Sequence, residues 1–165
     1  MRTWSKMRYK LENEYLAYSL RGHIRYFVTT YSKSPDRNGR AAILLDGREV
    51  IEGCYYDMWI NPPMMSAEEC WASFAVMDNT HVKYGMFDQH CFYNAFTEFD
   101  NQSIEKSLES ENMLIRIFAV LDRRVGKRKL EKMRLTIGDE QEMLRKFYDI
   151  RMRFEERDNR LVTEL

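Results

Sequence analysis

The residues best placed to do chemistry in this chain are a run of cations, Leu121-Asp122-Arg123-Arg124-Val125-Gly126-Lys127-Arg128-Lys129-Leu130. From Arg116 to Arg134 there are eight basic residues and two acidic ones, Asp122 and Glu131. Arginine presents a planar fork that matches carboxylate or phosphate, and lysine adds a mobile point charge. A glycine at 126 can end one helix and begin another, leaving neighbouring backbone N–H groups able to help hold an anion. Arg123, Arg124, Lys127, Arg128 and Lys129 are therefore the candidate binding residues, for phosphate, nucleic acid or the acidic face of a protein. The competing reading is structural: the cations oppose a helix macrodipole and pair with nearby acids. What separates the two is whether the five side chains share one exposed face or turn inward.

A second candidate surface is aromatic. Tyr55, Tyr56, Trp59 and Trp71, with Met64 and Met65 between them, crowd one stretch. Such residues anchor interfaces, or they form the covered edge of a core in which methionine fills irregular gaps. Metal and catalytic patterns are absent. His81 and His90 are nine positions apart and no His/Cys pair has the spacing of about two to five residues typical of zinc ligands. His90 and Cys91 are adjacent, so on a helix they diverge by about 100° and cannot work as nucleophile and base together. The acid pairs Glu68-Glu69, Glu109-Glu111 and Asp139-Glu140-Glu142 fall at expected helix starts, where carboxylates favour the positive dipole end. The glycines are scattered, with no phosphate loop, dinucleotide fingerprint or nucleophile elbow. The reading assigns no catalytic residue, no metal site and no cofactor.

The totals narrow the class. A chain of 165 residues fits one domain, expected to span 1–165 with its ordered part at about 4–155. Hydrophobic residues at 44% exclude wholesale disorder, and 26 basic residues against 26 acidic leave no global field to gather DNA or membrane. Any polyanion binding must come from a local patch. Cys54, Cys70 and Cys91 are odd in number, unlike the even framework of a small secreted domain. The amino terminus is charged from its second residue, and no apolar run approaches the ~18 residues of a membrane span. A cytoplasmic location without membrane contact, no disulfide and no bound transition metal are expected.

The elements that must position these residues are legible from periodicity. Met7, Leu11, Tyr15 and Tyr18 recur at helical spacing, with Ser5 as the expected cap and Gly22 suited to the left-handed turn beyond. From His23 the period becomes two: Ile24, Tyr26 and Val28 face one way, Arg25 and Phe27 the other. Ala41 to Leu45 and Arg48 to Cys54, continuing toward Trp59, are further strands joined by Asp46-Gly47, a strong hairpin signal. Arg40 is expected to reach a carboxylate and steady this hairpin. Helices follow: one capped at Ser66, one capped at Asp88, one from Met113 to Arg124, a short one from Lys127 to Met133, and one opened by Asp139 and Glu142. From Glu156 the chain is polar and is expected to fray. The fold class is α+β: an N-terminal helix, a three-stranded antiparallel meander, then four or five helices packed on the sheet. Strands that come together rather than alternating with helices exclude a doubly wound parallel sheet.

Several of these residues together resemble a known group. Trp4-Ser5-Lys6 opening a helix, Ser19-Leu20-x-Gly22, Gly39-Arg40, Leu45-Asp46-Gly47, the Leu121–Leu130 block and Phe147-Tyr148-x-x-Arg151 resemble a family of small uncharacterised bacterial proteins. The resemblance runs from Trp4 to about Arg151, and the basic block is its most specific part. It implies a bacterial, cytoplasmic origin and carries over no catalytic residue. The leading functional class is a non-catalytic macromolecule-binding protein, a regulator, adaptor or immunity-like binder whose partner is another protein or a second copy. The alternative is a nucleic-acid- or phosphate-binding protein using the block around Gly126, and an enzyme of unfamiliar type is third.

Overall fold

The change of period at His23 becomes a sheet edge in the computed structural model, which describes residues 3–30, 33, 39–53, 87–137 and 142–163. β1 (Ile24–Val28) pairs antiparallel with β2 (Ala41–Leu45), and β2 pairs antiparallel with β3 (Arg48–Gly53), in the order β1-β2-β3. Alternation in β1 is as the sequence predicts: Ile24 and Tyr26 are buried while Arg25 and Phe27 face solvent. Asp46 and Gly47 both take positive φ, 50° and 78°, as a tight hairpin whose twist matches its strands requires. Arg40 forms a forked ion pair with Glu49 of β3, as expected. Gly39 has a steric duty of its own, since an ideal Cβ there would lie 1.8 Å from the Thr29 carbonyl oxygen.

The N-terminal helix differs from its reading. α1 spans only Trp4–Tyr9, and its cap position is Thr3, so Ser5 lies inside the first turn. The chain then widens into a π-helix at Lys10–Tyr15 and ends in a 3₁₀ turn at Tyr18–Leu20. The helix ends at Tyr15, and the extended backbone of Leu16 and Ala17 takes Tyr18 off its apolar stripe. Met7 and Leu11 are buried, yet Tyr18, expected on the same stripe, stands 65% exposed. The π turn also carries Glu12 inward, where its carboxylate accepts from the Tyr26 backbone N–H at 2.9 Å and from Arg25 at 2.8 Å. A buried carboxylate is tolerated only with such partners. Gly22, at φ 84°, makes the left-handed turn into β1.

Five α-helices follow the sheet among the described residues. α2 (Gln89–Asn101) is capped by Asp88, whose side chain accepts from the Cys91 N–H at 2.8 Å. α3 (Ile104–Leu108) was not legible in the periodicity; Glu109 follows its last residue and does not open a helix. α4 (Met113–Leu121) buries every residue except Arg116, and Asn112 caps it. α5 (Lys127–Met133) has the predicted bounds. α6 (Glu142–Thr163) has a helical backbone well past Glu156, where fraying was expected. Its Phe147, Ile150 and Phe154 turn inward as predicted.

The core lies between the sheet, α2, α4 and α6. Phe118 of α4 is its hub, with Phe92 at 5.1 Å, Phe99 at 5.6 Å and Tyr26 at 5.9 Å between ring centroids. Edge-to-face contacts of this kind add to area burial because ring edges and faces carry opposite partial charge. Burial raises the Tyr26 hydroxyl pKa well above the ordinary phenol range, and the nearby Glu12 and Asp122 carboxylates add to it. The predicted helix at Ser66, the extension toward Trp59 and the opening residue Asp139 lie outside the described residues, as do Tyr55, Tyr56, Trp59 and Trp71. No helix among the described residues is long and apolar enough to cross a membrane.

Candidate functional site

The structure divides the basic block at Val125. α4 stops at Leu121 because Asp122 takes an extended backbone, φ −76° and ψ 137°, and pairs as an isolated bridge with Leu16. The Ala17 N–H donates to the Leu121 carbonyl at 2.9 Å and the Arg123 N–H to the Tyr15 carbonyl at 2.7 Å. This leaves the Asp122 carboxylate fully buried. Arg124 folds back onto it, with Nε at 3.1 and 3.0 Å from the two oxygens and a terminal nitrogen at 2.7 Å. The guanidinium also lies over Tyr15, 4.8 Å from the ring centroid, and over Phe99 at 5.5 Å. Hydrogen bonding to Asp122 raises the Arg124 pKa against the opposing effect of burial. Arg124 stays exposed on one side while it clamps the buried Asp122, so its guanidinium is already engaged by a carboxylate.

Arg151 completes this junction from α6. It is buried and donates to the carbonyls of Leu121, Asp122 and Val125 at 3.1, 3.2 and 3.3 Å. Those carbonyls end α4 without helical partners, and a cation suits the negative end of a helix dipole. Burial lowers the Arg151 pKa, and Glu155, 2.9 Å away, counters it together with Asp122. Glu155 in turn accepts from Ser19 at 2.8 Å, while the Tyr148 hydroxyl donates to the Leu130 carbonyl at 2.8 Å. The sequence signal for Arg151 was a charge on the apolar stripe of Phe147, Ile150 and Phe154. Such a residue must bring its own partners inside.

Beyond Val125 the cations stand in solvent. Gly126 is extended and leads into α5, which is held down by Leu130 and Met133. Lys127, Arg128 and Lys129 are exposed, and among the described residues none of them makes an ion pair. Arg123 is also exposed but fixed: it donates to the Tyr18 hydroxyl at 2.8 Å and lies 5.8 Å from that ring's centroid. Arg21 stacks on the same ring at 4.5 Å. Sequence reasoning missed this Arg21–Tyr18–Arg123 group because it placed Tyr18 in the core. All five candidate cations are exposed, but they differ in what they bind: Arg124 pairs with the buried Asp122, Arg123 with Tyr18, and three cations stand on α5.

Two indentations flank α5. One, of about 440 Å³, mixes Lys127 and Arg134 with Glu131, Glu155 and Glu156. The other, of about 420 Å³, brings Arg116, Lys129 and Lys132 together beside Glu109. Cys91 offers no nucleophile, since burial, with Asp88 nearby, pushes its thiol up to about 12.

Three of the segments that carried the resemblance meet in this junction: Ser19 binds Glu155, Arg151 binds the Leu121–Val125 turn, and Tyr148 binds Leu130. No curated protein and no solved structure matches the chain. A family model does match, over residues 3–152, which include every one of those segments, and on that ground the chain belongs to the SF0329 protein family.

Proposed function

We propose that this chain is a non-catalytic protein that binds another macromolecule, specifically a protein partner with an acidic face. The observation that carries this reading is the Arg21–Tyr18–Arg123 group. Tyr18 is 65% exposed, yet its ring and hydroxyl are fixed by the two arginines. Exposed Tyr and Arg side chains already held in place lose little freedom on association, and they are the types that dominate interface energetics. From Arg123 the chain runs directly into Lys127, Arg128 and Lys129. On a chain of zero net charge, that local surplus can steer an acidic partner. A regulatory, adaptor or immunity-like role fits such a surface, and the motif resemblance and odd cysteine count support a bacterial cytoplasmic setting.

A second reading, nucleic-acid binding, draws on α5 alone, where Lys127, Arg128, Lys129 and Lys132 are exposed against Glu131. Its affinity would fall steeply with salt as counterions are released. The test places a photo-crosslinking amino acid at position 18 in cells, with Glu98 as an exposed control site. A discrete protein adduct at position 18 that disappears with Arg123→Ala is expected. No adduct above the control would sink the protein-binding reading. Tight, salt-sensitive binding of DNA or RNA, lost in Lys127→Ala/Arg128→Ala/Lys129→Ala, would put the second reading first.

A further inference from the structure

A groove of about 310 Å³ lies between the N-terminal helical segment and β1, lined by Trp4, Arg8, Tyr9, Asn13 and Arg25 around the buried Glu12. Trp4 is fixed from behind, edge-on to Phe92 at 5.9 Å and beside Tyr93 at 6.2 Å between ring centroids. Tyr9, by contrast, is 61% exposed. The two arginines are anchored: Arg8 Nε lies 3.3 Å from the Glu12 carboxylate, and one terminal nitrogen of Arg25 lies 2.8 Å from it. Each gives one nitrogen to that carboxylate and stays half exposed, so the rest of each fork faces outward. Guanidinium donors already held in place meet an anion with little further ordering cost.

Asn13 joins this groove to Tyr18. Its carbonyl accepts from Arg21, whose guanidinium stacks on Tyr18, and its amide donates to the Tyr9 carbonyl. An exposed path of touching residues therefore runs from Tyr9 through Asn13, Arg21 and Tyr18 to Arg123.

We propose that this path receives an extended acidic segment of the protein partner, with one aromatic side chain of that segment seated in the groove against Trp4 and Tyr9. The inference deepens the protein-binding reading and rests on it. An aromatic ring suits the groove because Trp4, Tyr9 and the planar guanidinium groups offer faces and edges for stacking. A groove of this size takes one large side chain and not a helix about 10 Å across. Carboxylates beside that ring meet Arg8 and Arg25, and those further along meet Arg21 and Arg123.

Fluorescence anisotropy with the full chain tests it, using a labelled acidic peptide of about ten residues, roughly 35 Å when extended, with one central phenylalanine. The other arms are the same peptide with alanine for phenylalanine, the same peptide with Gln and Asn for its acids, and oligothymidylate. Saturable binding of the phenylalanine peptide is expected, about fivefold tighter than the alanine peptide, as one aromatic contact supplies. Tyr9→Ala should abolish that advantage and leave the alanine peptide unchanged, a coupling that a purely structural Tyr9 would not show. Arg8→Ala/Arg25→Ala should weaken both acidic peptides by about tenfold. Because those arginines also hold Glu12, the exposed Tyr9 keeps the test valid if their replacement unfolds the chain. Equal affinity for the phenylalanine and alanine peptides, undiminished binding of the Gln/Asn peptide, or oligothymidylate bound as tightly as the phenylalanine peptide would each overturn the proposal. A parent dimer that Tyr9→Ala dissociates would assign the groove to a second copy and overturn it too. In each of these cases a discrete adduct at position 18 would leave the protein-binding reading standing, whereas no adduct there would remove both.

Discussion

Leu121–Val125 and Lys127–Met133 are neighbours in the chain, both with more basic than acidic residues, and the fold treats them differently. In the first, Asp122 is fully buried, Arg124 is bound to it, and Arg151 enters from α6 to hold three carbonyls. In the second, Lys127, Arg128 and Lys129 stand in solvent on a helix held by two apolar residues. The difference comes from what lies opposite. Asp122 in the first region is cut off from water, so its carboxylate needs a partner, and Arg124, itself open to solvent on one side, supplies it. Nothing covers the outer side of α5 among the described residues, so its cations keep their hydration and remain available.

The contrast can be broken most forcefully at Arg151. Arg151→Met should remove one donor from each of three carbonyls, of which Leu121 and Asp122 keep a backbone N–H, and leave Glu155 without its cation, costing about 3 kcal/mol. For a chain of this length that is a fall of roughly 6–12 °C in melting temperature. A change under roughly a third of that would mean the junction is not what holds α4 to α6. Asp122→Ala comes next, at about 2 kcal/mol, discounted because the Arg124 side chain is 39% exposed. Chemical denaturation that shows Asp122→Ala as stable as the parent would remove the distinction between the two regions.

Alkaline pH should also act on the buried side. Unfolded, Cys91 and Tyr26 lose their protons near 9.0 and 10.0, whereas in the fold Cys91 holds its proton to about 12 and Tyr26 holds its own still higher. Unfolding then releases protons. Stability is therefore fully present below about pH 9 and declines as pH rises toward 12. Melting curves from pH 8 to 11 should show this decline equally in the parent and in Lys127→Ala/Arg128→Ala/Lys129→Ala. A flat profile would contradict the burial of both groups.

At the open end the effects should be small. Lys127→Ala/Arg128→Ala/Lys129→Ala should change stability by about 0.5 kcal/mol or less per site, as solvated charges do. If α5 meets a polyanion, the slope of log affinity against log salt should fall by about one per cation removed. A large thermal loss would show that these side chains tie helices together. Smallest of all is Gly126→Ala: its φ is negative and no atom lies within 4 Å of where the added methyl would sit, so only the weaker capping preference of alanine remains, about 0.5 kcal/mol.

What could be read beforehand was what neighbouring residues encode. Asp46-Gly47 specifies its turn through the φ values it tolerates, Asp88 caps α2 through its own side chain, and α5 follows from Gly126 and the spacing of Leu130 and Met133. These are contacts over a few positions, so periodicity and residue type suffice. The π turn at Lys10–Tyr15 escaped because it changes the period itself, and the extended Leu16-Ala17 step beyond it sets the side on which Tyr18 emerges. The sorting of the basic block escaped for a different reason. Arg124 folds over Asp122 with Tyr15 and Phe99 beside it, and Arg151 reaches the Leu121 carbonyl across 30 residues of chain. The sequence alone determined four of the five helices after the sheet, the hairpin and the presence of a local cationic surplus. Only tertiary structure decided which cations became partners of buried acids and carbonyls and which stayed in water, because the cost of a charge depends on what surrounds it in space.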